Sequence, residues 1–245
     1  MTVALITGAS RGFGNALARQ LAAEGWTLVL DARDPDVLAG ATADLGTAVT
    51  AVAGDVADPA HRAGLADAVR AAGRLDLLVN NASELGPSPQ PTLDRYPLAE
   101  LRRVFDVNVL APLALTQLVF PWLVEAGGSV VNLSSDAAVE AYPGWGGYGA
   151  AKAALDQLTA VLAAECAERA DRPDLRVYAF DPGDMRTAMH QLAFPGEDIS
   201  DRPLPEAVVP ALLRLLDERP PSGRYRAADL LVPAAQEAAG TGAAR

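Results

Sequence analysis

The sequence predicts a doubly wound α/β domain, a parallel sheet of about seven strands covered by helices on both faces. Three observations carry this expectation. Short apolar runs alternate with longer helical stretches, from Val3 to the last run at Gly223-Arg224-Tyr225. A glycine-rich segment stands between the first apolar run and the first helical stretch, where such folds place a phosphate. The 245 residues, half of them apolar, suit one large domain with an ample core. Residues 1–233 are assigned to that domain and residues 234–245 to a low-complexity tail.

Val3-Ala4-Leu5-Ile6-Thr7 is a short apolar run and reads as a buried first strand. It enters Gly8-Ala9-Ser10-Arg11-Gly12-Phe13-Gly14, a G-x-x-x-G-x-G spacing. Glycines let the backbone approach a pyrophosphate, and the helix that follows, read over Asn15–Gly25, offers free N–H groups and a favourable dipole. Thr27–Leu30 is the second strand and ends in Asp31-Ala32-Arg33-Asp34. An acid at such a strand end holds the ribose 2′-hydroxyl of NAD, whereas an arginine accepts the 2′-phosphate of NADP. Ala48–Ala53 is the third strand, followed by Gly54-Asp55-Val56 and a helix to about Ala72, with Asp55 or Asp58 as its N-cap.

Leu75–Val79 is the fourth strand and leads into Asn80-Asn81-Ala82-Ser83. Glu84–Pro97 contains four prolines and is read as an irregular loop at the rim of a cleft. Leu98–Val124 is read as one long helix containing Asn108, a poor helix former, with Pro112 and Pro121 placed to kink or shorten it. Farther along the chain, Leu175–Phe180 is a strand running into Asp181-Pro182-Gly183-Asp184-Met185-Arg186-Thr187. Ala188–Pro205, without a clear period, is read as a lid over substrate, with His190 part of its structure. Glu206–Glu218 is an amphipathic helix, and Gly223 opens the last strand.

Function is concentrated in Ser134–Lys152. Tyr148 and Lys152 stand four residues apart, so on a helix they share one face. Ser135 lies thirteen residues before Tyr148, at the end of the apolar strand Ser129–Leu133. A tyrosine with its free pKa near 10 is a poor acid or base at neutral pH, and a neighbouring ammonium favours the phenolate. Bringing it to about 7 takes roughly 4 kcal/mol, at about 1.36 kcal/mol per pH unit, an amount expected from one lysine together with a cationic cofactor ring. A hydroxyl from Ser135 then holds a carbonyl oxygen beside the phenol. These groups are the apparatus for protonating an oxygen while a hydride reaches the adjacent carbon. Tyr142, Trp145 and Phe194 are the aromatic candidates for contact with substrate, although Trp145 also fits a packing role in the strand-to-helix loop.

In this order, the glycine loop, Asn80-Asn81-Ala82, the Ser135, Tyr148 and Lys152 set, and Pro182-Gly183 resemble the short-chain dehydrogenase/reductase family over about residues 2–190. The glycine loop and the tyrosine helix are most similar to sepiapterin reductase and its bacterial relatives. The resemblance implies a Rossmann-type three-layer fold and an NADP(H)-dependent reduction of a ketone or dicarbonyl, with NAD(H) as the second cofactor candidate. Tyr148 is then the proton donor, Lys152 lowers its pKa and binds the nicotinamide ribose, Ser135 orients the carbonyl, and Asn108 holds a relay water. Cofactor contacts are implied from Gly8, Ser10, Arg11, Gly12, Phe13 and Gly14, and from Asp55 and Val56 beside the adenine. Asn81 and Ala82 are implied along the nicotinamide ribose, with Pro182, Gly183, Met185 and Thr187 around the nicotinamide itself. By the family's count the NAD-selecting acid falls at position 32, an alanine here, while Arg33 and Arg11 fall where NADP-preferring members carry basic residues. Arg33 also fits a solvated loop arginine. Ser83 departs from the glycine usual after Asn-Asn-Ala, and the D-G-G ending of many tetrameric members is missing.

The single cysteine, Cys166, rules out an internal disulfide and suits a reducing, cytoplasmic setting. A formal charge of −11 argues against nucleic acid and anionic membranes as partners. No apolar run approaches the length of a membrane span, and two histidines without a ligand spacing argue against a metal site. Association into a homodimer or homotetramer through Leu98–Val124 and Tyr148–Ala170 is expected. Two rival readings stand: an NAD-dependent alcohol dehydrogenase with Asp31 on the ribose, and a non-catalytic NADP(H)-binding sensor or scaffold.

Overall fold

The computed structural model describes residues 1–46, 48–168 and 174–231. The tail assigned to residues 234–245 and the last residues of the helix expected to reach Ala170 lie outside the described residues. Seven strands form one parallel sheet: β1 (Val3–Ile6), β2 (Thr27–Ala32), β3 (Val49–Ala53), β4 (Leu77–Asn80), β5 (Ser129–Leu133), β6 (Arg176–Asp181) and β7 (Gly223–Arg226). Their order is β3-β2-β1-β4-β5-β6-β7, so the chain winds outward from β1 and then resumes at β4 on the other side. The crevice where β1 and β4 diverge is where folds of this type seat a ligand.

The helices are α1 (Gly12–Ala23), α2 (Pro35–Thr42), α3 (Pro59–Ala72), α4 (Leu98–Phe105), α5 (Ala111–Ala126), α6 (Gly146–Ala167), α7 (Ala188–Ala193), α8 (Pro205–Glu218) and α9 (Ala227–Leu231). Strand β1 shows why the sheet is buried on both faces. Ala4 and Ile6 join the core with Leu17 and Leu21 of α1 and Leu212 and Leu215 of α8. Val3 and Leu5, pointing the other way, join Leu65 and Val69 of α3 and Leu115, Val119 and Leu123 of α5. Cys166 is buried in that second cluster.

Two helices begin alike. Asp34 accepts from the Asp36 and Val37 N–H groups at α2, and Asp58 accepts from Ala60 N–H at α3, each followed by proline in the first turn. Asp58, rather than Asp55, is therefore the cap of α3. Helix α2 was not expected from the sequence, although its Asp-Pro start repeats that of α3.

The helix expected over Leu98–Val124 is not uniform. A π-helical turn, Asp106–Leu110, separates α4 from α5, and Asn108 lies in its middle. The break precedes Pro112, which takes the first turn of α5, while α5 continues through Pro121 to Ala126. The expectation of no membrane-length apolar segment is also corrected. Leu98–Ala126 has 29 residues, and its most apolar 18-residue window has a mean hydropathy of 1.7, enough by length and composition to cross a membrane. Half of its most apolar window is buried, and its apolar residues pack on the sheet.

Asn80 braces the sheet through a buried polar ladder. Its Nδ2 donates to Asn132 Oδ1 on the adjacent strand at 2.7 Å and to Thr116 Oγ1 at 3.3 Å. Asn132 Nδ2 in turn donates to Thr159 Oγ1 of α6 at 2.8 Å, which ties the sheet to the helix carrying Tyr148 and Lys152. Buried donors left without acceptors cost about 1–3 kcal/mol each. Asn132→Ala is therefore expected to lower unfolding free energy by about 2–4 kcal/mol, measured by urea titration.

Candidate active site

The glycine loop joins β1 to α1, and its geometry follows from close backbone approach. A Cβ on Gly8 would stand 2.9 Å from Ala82 Cα, and one on Gly14 would stand 2.5 Å from Asn81 Nδ2. Asn81 uses its side chain to hold this loop, donating to the carbonyls of Thr7 at 2.8 Å and Gly8 at 3.0 Å. Thr7 Oγ1 accepts from Asn81 N–H and Ala82 N–H, both at 3.0 Å. Helix α1 starts after Arg11 with no side-chain cap and no acidic residue in its first turn. Its N–H groups and positive dipole end therefore stay available, which fits a dinucleotide phosphate. Gly12 faces Thr187, whose Cγ2 lies 3.5 Å from a Cβ built there. The Phe13 ring is buried and stacks on Phe180 at 6.0 Å, so the side chain is core and a cofactor contact from this residue would come from its backbone.

Asp31 is turned into the protein. It is buried, accepts from Gly8 N–H at 3.3 Å, and lies 3.3 Å from His61 Nε2. Burial pushes its carboxyl above the ordinary range, against the pull of His61 and the Gly8 N–H. Such a carboxylate supports the glycine loop from beneath and is not presented to a ribose. Arg33 is largely exposed and pairs with Glu84 at 3.2 Å. Asp55 pairs with Arg103 at 2.8 Å and accepts from Ala57 N–H, while Val56 packs beside Ala82. Ser10 is half-buried and Arg11 is exposed on the same loop.

Ser135, Tyr148, Pro182, Gly183, Met185 and Thr187 line one cavity of about 120 Å³, together with Trp145 and His190. Tyr148 sits in the first turn of α6, which delivers its hydroxyl to this cavity, and Lys152 follows one turn later. Both are buried, and Lys152 Nζ donates to the Leu133 carbonyl at 2.6 Å while standing 5.5 Å from the centre of the Tyr148 ring. Lys152 is also the only lysine in the chain. Burial pulls its pKa from 10.5 down to about 8, against the attraction of Asp156.

Tyr148 is desolvated beside Lys152. In the protein alone burial wins and pushes the phenol above its ordinary value of 10, with Ser83 and Ser135 hydroxyls partly offsetting it. The loss of water around a phenolate is the largest effect on this group, and Asp136 and Asp181 add to it. Tyr148 is thus held as the neutral, proton-bearing form.

Ser135 Oγ donates to Asp136 Oδ1 at 2.9 Å and caps a short 3₁₀ turn, Asp136–Ala138, through Ala137 N–H. The Asn108 side chain is spent on the loop after β4. Its Oδ1 accepts from Ser83 Oγ at 3.0 Å and Glu84 N–H at 2.9 Å, and its Nδ2 donates to the Glu84 carbonyl at 2.7 Å. Only its backbone carbonyl remains for a relay, and Pro112 deprives that carbonyl of its ordinary i+4 donor. Ser83, read from sequence as a mild departure, therefore links Asn108 to Tyr148. Its position after Asn-Asn-Ala was the signal that could have found it.

Of the aromatic candidates, Trp145 lines the cavity, whereas Tyr142 and Phe194 stand behind it. Their ring centres lie 6.4 and 5.7 Å from that of Trp145, and Tyr142 donates its hydroxyl to Asp136. The expected lid contains α7, capped by Thr187 accepting from His190 N–H, and the loop of residues 84–97 reaches it where Ser88 donates to the Leu192 carbonyl.

Residues 2–198 match the family described as short chain dehydrogenase. A serine 3-dehydrogenase of Rhizobium radiobacter is 39% identical over 145 residues, 57% of this chain and 56% of that protein. The chain thus spans about half the length of the curated relatives it matches first. Sepiapterin reductase of Mus musculus is 37% identical over 207 residues, 78% of this chain and 77% of that protein. The crystal structure of a short chain dehydrogenase from Shigella flexneri 2a, complexed with NADP, superposes with a TM-score of 0.83. It is 30% identical and covers 93% of this chain and 97% of its own.

The Lys152 shift has a sign that equilibrium unfolding can read. From 10.5 to about 8 it corresponds to a cost of about 3 kcal/mol, at about 1.36 kcal/mol per pH unit, borne fully below pH 8. Between pH 8 and 10.5 the unfolded chain binds the extra proton, so stability should rise with pH across that window. Lys152→Met is expected to flatten this rise in urea titrations at pH 8, 9 and 10.

Proposed function

This chain belongs to the short-chain dehydrogenase family, and on that premise we propose that it reduces the carbonyl of a small molecule with NADPH. The carrying observation is the buried phenol of Tyr148 on a cavity it shares with Ser135, one helical turn from the chain's only lysine. When bound, the nicotinamide supplies a hydride to the carbonyl carbon. Tyr148 gives its hydroxyl proton to the carbonyl oxygen, and Ser135 Oγ, released from Asp136, donates a hydrogen bond to the same oxygen. Lys152, protonated at neutral pH, stabilises the phenolate left behind and reaches the nicotinamide ribose. The backbone carbonyl of Asn108 holds the water through which Tyr148 is reprotonated.

NADP is favoured over NAD on the residues present. Asp31, the acid the NAD reading needs on the ribose, is buried beneath Gly8, while Arg33 and Arg11 are exposed at the edge of the same groove. The NADP complex of the Shigella flexneri neighbour supports the same choice. The groups around Tyr148 favour turnover over a non-catalytic sensor, because cofactor binding alone does not require a buried proton donor. Trp145 at the cavity wall suits a planar or apolar carbonyl compound, with Met189 packed in the same cluster. Exposed Leu110, Leu118 and Val161 on the π turn, α5 and α6 support association of copies as a dimer or tetramer. A cytoplasmic setting fits the single cysteine.

Tyr148→Phe is expected to lower kcat by about 10²–10⁴-fold while NADPH affinity changes little, measured by NADPH consumption and by fluorescence titration. Retention of half the wild-type rate would exclude Tyr148 as the donor. In thermal-shift assays at equal concentrations, NADPH should stabilise the protein by more than NADH does. At a hundred times its dissociation constant a ligand of the folded state contributes about 2.7 kcal/mol. A larger shift with NADH would reverse the cofactor assignment.

A further inference from the structure

The last strand places one arginine under the whole site. Arg224 of β7 donates through Nη2 to the Ser135 carbonyl at 3.0 Å and to Asp181 Oδ2 at 2.8 Å. Its Nε donates to Asp156 Oδ2 at 3.0 Å. Each of these partners belongs to a different segment, and Ser135 and Asp181 line the cavity. Ser135 follows β5 by two residues, Asp181 ends β6 and accepts from Gly183 N–H at 3.0 Å, and Asp156 lies one turn beyond Lys152 on α6.

Asp156 is the notable member. At i+4 from Lys152 it occupies the position from which a carboxylate ordinarily pairs with a lysine on a helix. It is instead engaged by Arg224 and by Ser134, whose Oγ donates to the same Oδ2 at 2.8 Å. The other oxygen, Asp156 Oδ1, is buried with no hydrogen-bond partner among the described residues. Lys152 meanwhile donates to the Leu133 carbonyl and stays beside the Tyr148 ring.

We propose that Arg224 is a positioning residue that draws Asp156 away from Lys152, leaving the ammonium to Tyr148, and fixes Ser135 and the Gly183 turn around it. The proposal deepens the carbonyl-reductase reading and rests on it for its catalytic consequence, but the division of charge between Arg224, Asp156 and Lys152 stands without a substrate. Asp156 on α6 is the charge that acts on the ammonium and is itself engaged by Arg224 on β7, Asp136 in the 3₁₀ turn and Asp181 at the end of β6 act on the Tyr148 phenol beside it, and Asp106 of the π turn is exposed. Removing Arg224 leaves Asp156 and Asp181 uncompensated, and Asp156 then takes the nearest cation, Lys152.

Because the chain has one lysine, protein labelled with ¹³C at lysine Cε gives one side-chain signal, whose pH titration reports Lys152 directly. The wild-type midpoint is expected near 8. Arg224→Met should raise it by about one pH unit or more, the size of a newly unpaired neighbouring charge. Adding Asp156→Asn to that variant should return it close to the wild-type midpoint. In parallel, kcat for NADPH-dependent carbonyl reduction should fall about 10- to 100-fold in Arg224→Met, with NADPH affinity nearly unchanged, and recover in the double variant. A merely structural arginine would not be rescued by neutralising Asp156. If Arg224→Met does not fold, Arg224→Gln, which keeps hydrogen-bond donors and removes the charge, takes its place with the same expected rise. An unmoved midpoint in either single variant, or no return in the double variant, overturns the proposal. Shifts as expected in a protein that reduces no carbonyl would uphold the charge division and overturn the reductase reading instead.

Discussion

The desolvation of one ammonium group is the constraint around which this structure is arranged. Lys152 is nearly inaccessible to water, and burying a charge without partners is among the most costly things a fold can do. Here the charge is kept by a short bond to the Leu133 carbonyl at the end of β5 and by the attraction of Asp156. Both depend on α6 lying against the carboxyl ends of β5 and β6. The same placement buries Tyr148, so the phenol is held protonated until a reaction gives its proton somewhere to go. Burial therefore sets the starting protonation state of both groups.

Holding α6 in that place requires polar contacts as well as packing. The Asn80–Asn132–Thr159 ladder runs from the centre of the sheet into the middle of α6, every member buried. Farther toward the cavity, Arg224 joins β5, β6 and α6 through carboxylates and a carbonyl. On the other side of the crevice, Asn81 and Asp31 hold the glycine loop from above and below. Asn108 does similar work for the loop after β4, and the π turn that carries it is sited just before Pro112. Much of what resembles catalytic equipment in this family is thus engaged in keeping backbone segments in register.

A good part of this was legible in the chain itself. The strands were readable because residues buried on both faces leave uniform apolar runs, as in Val3–Ile6 and Ser129–Leu133. The glycine loop was readable because only glycine survives the approach that Gly8 and Gly14 make to Ala82 and Asn81. Less was legible where polarity hid the pattern. Helix α2 is short, mostly exposed and buries little besides Leu38, so only its Asp-Pro start marked it. The π turn left no mark beyond one asparagine in an apolar helix. Phe13 is a residue inside a binding motif whose side chain belongs to the core, which the motif alone does not reveal.

The sequence by itself determined the fold class, the glycine loop and the helical pairing of Tyr148 with Lys152, because each rests on residues close together in the chain. Spacing of four on a helix, or glycine at a tight turn, is a local geometric fact. Tertiary structure alone decided the electrostatics. The direction in which Tyr148 titrates, the inward turn of Asp31, the bond of Ser83 to Asn108 and the reach of Arg224 to three separate elements all depend on what surrounds each group. Those surroundings come from residues 20 to 90 positions away, brought together by the winding of the sheet. Desolvation and pairing act through space, and a sequence records them only once the fold has chosen the neighbours.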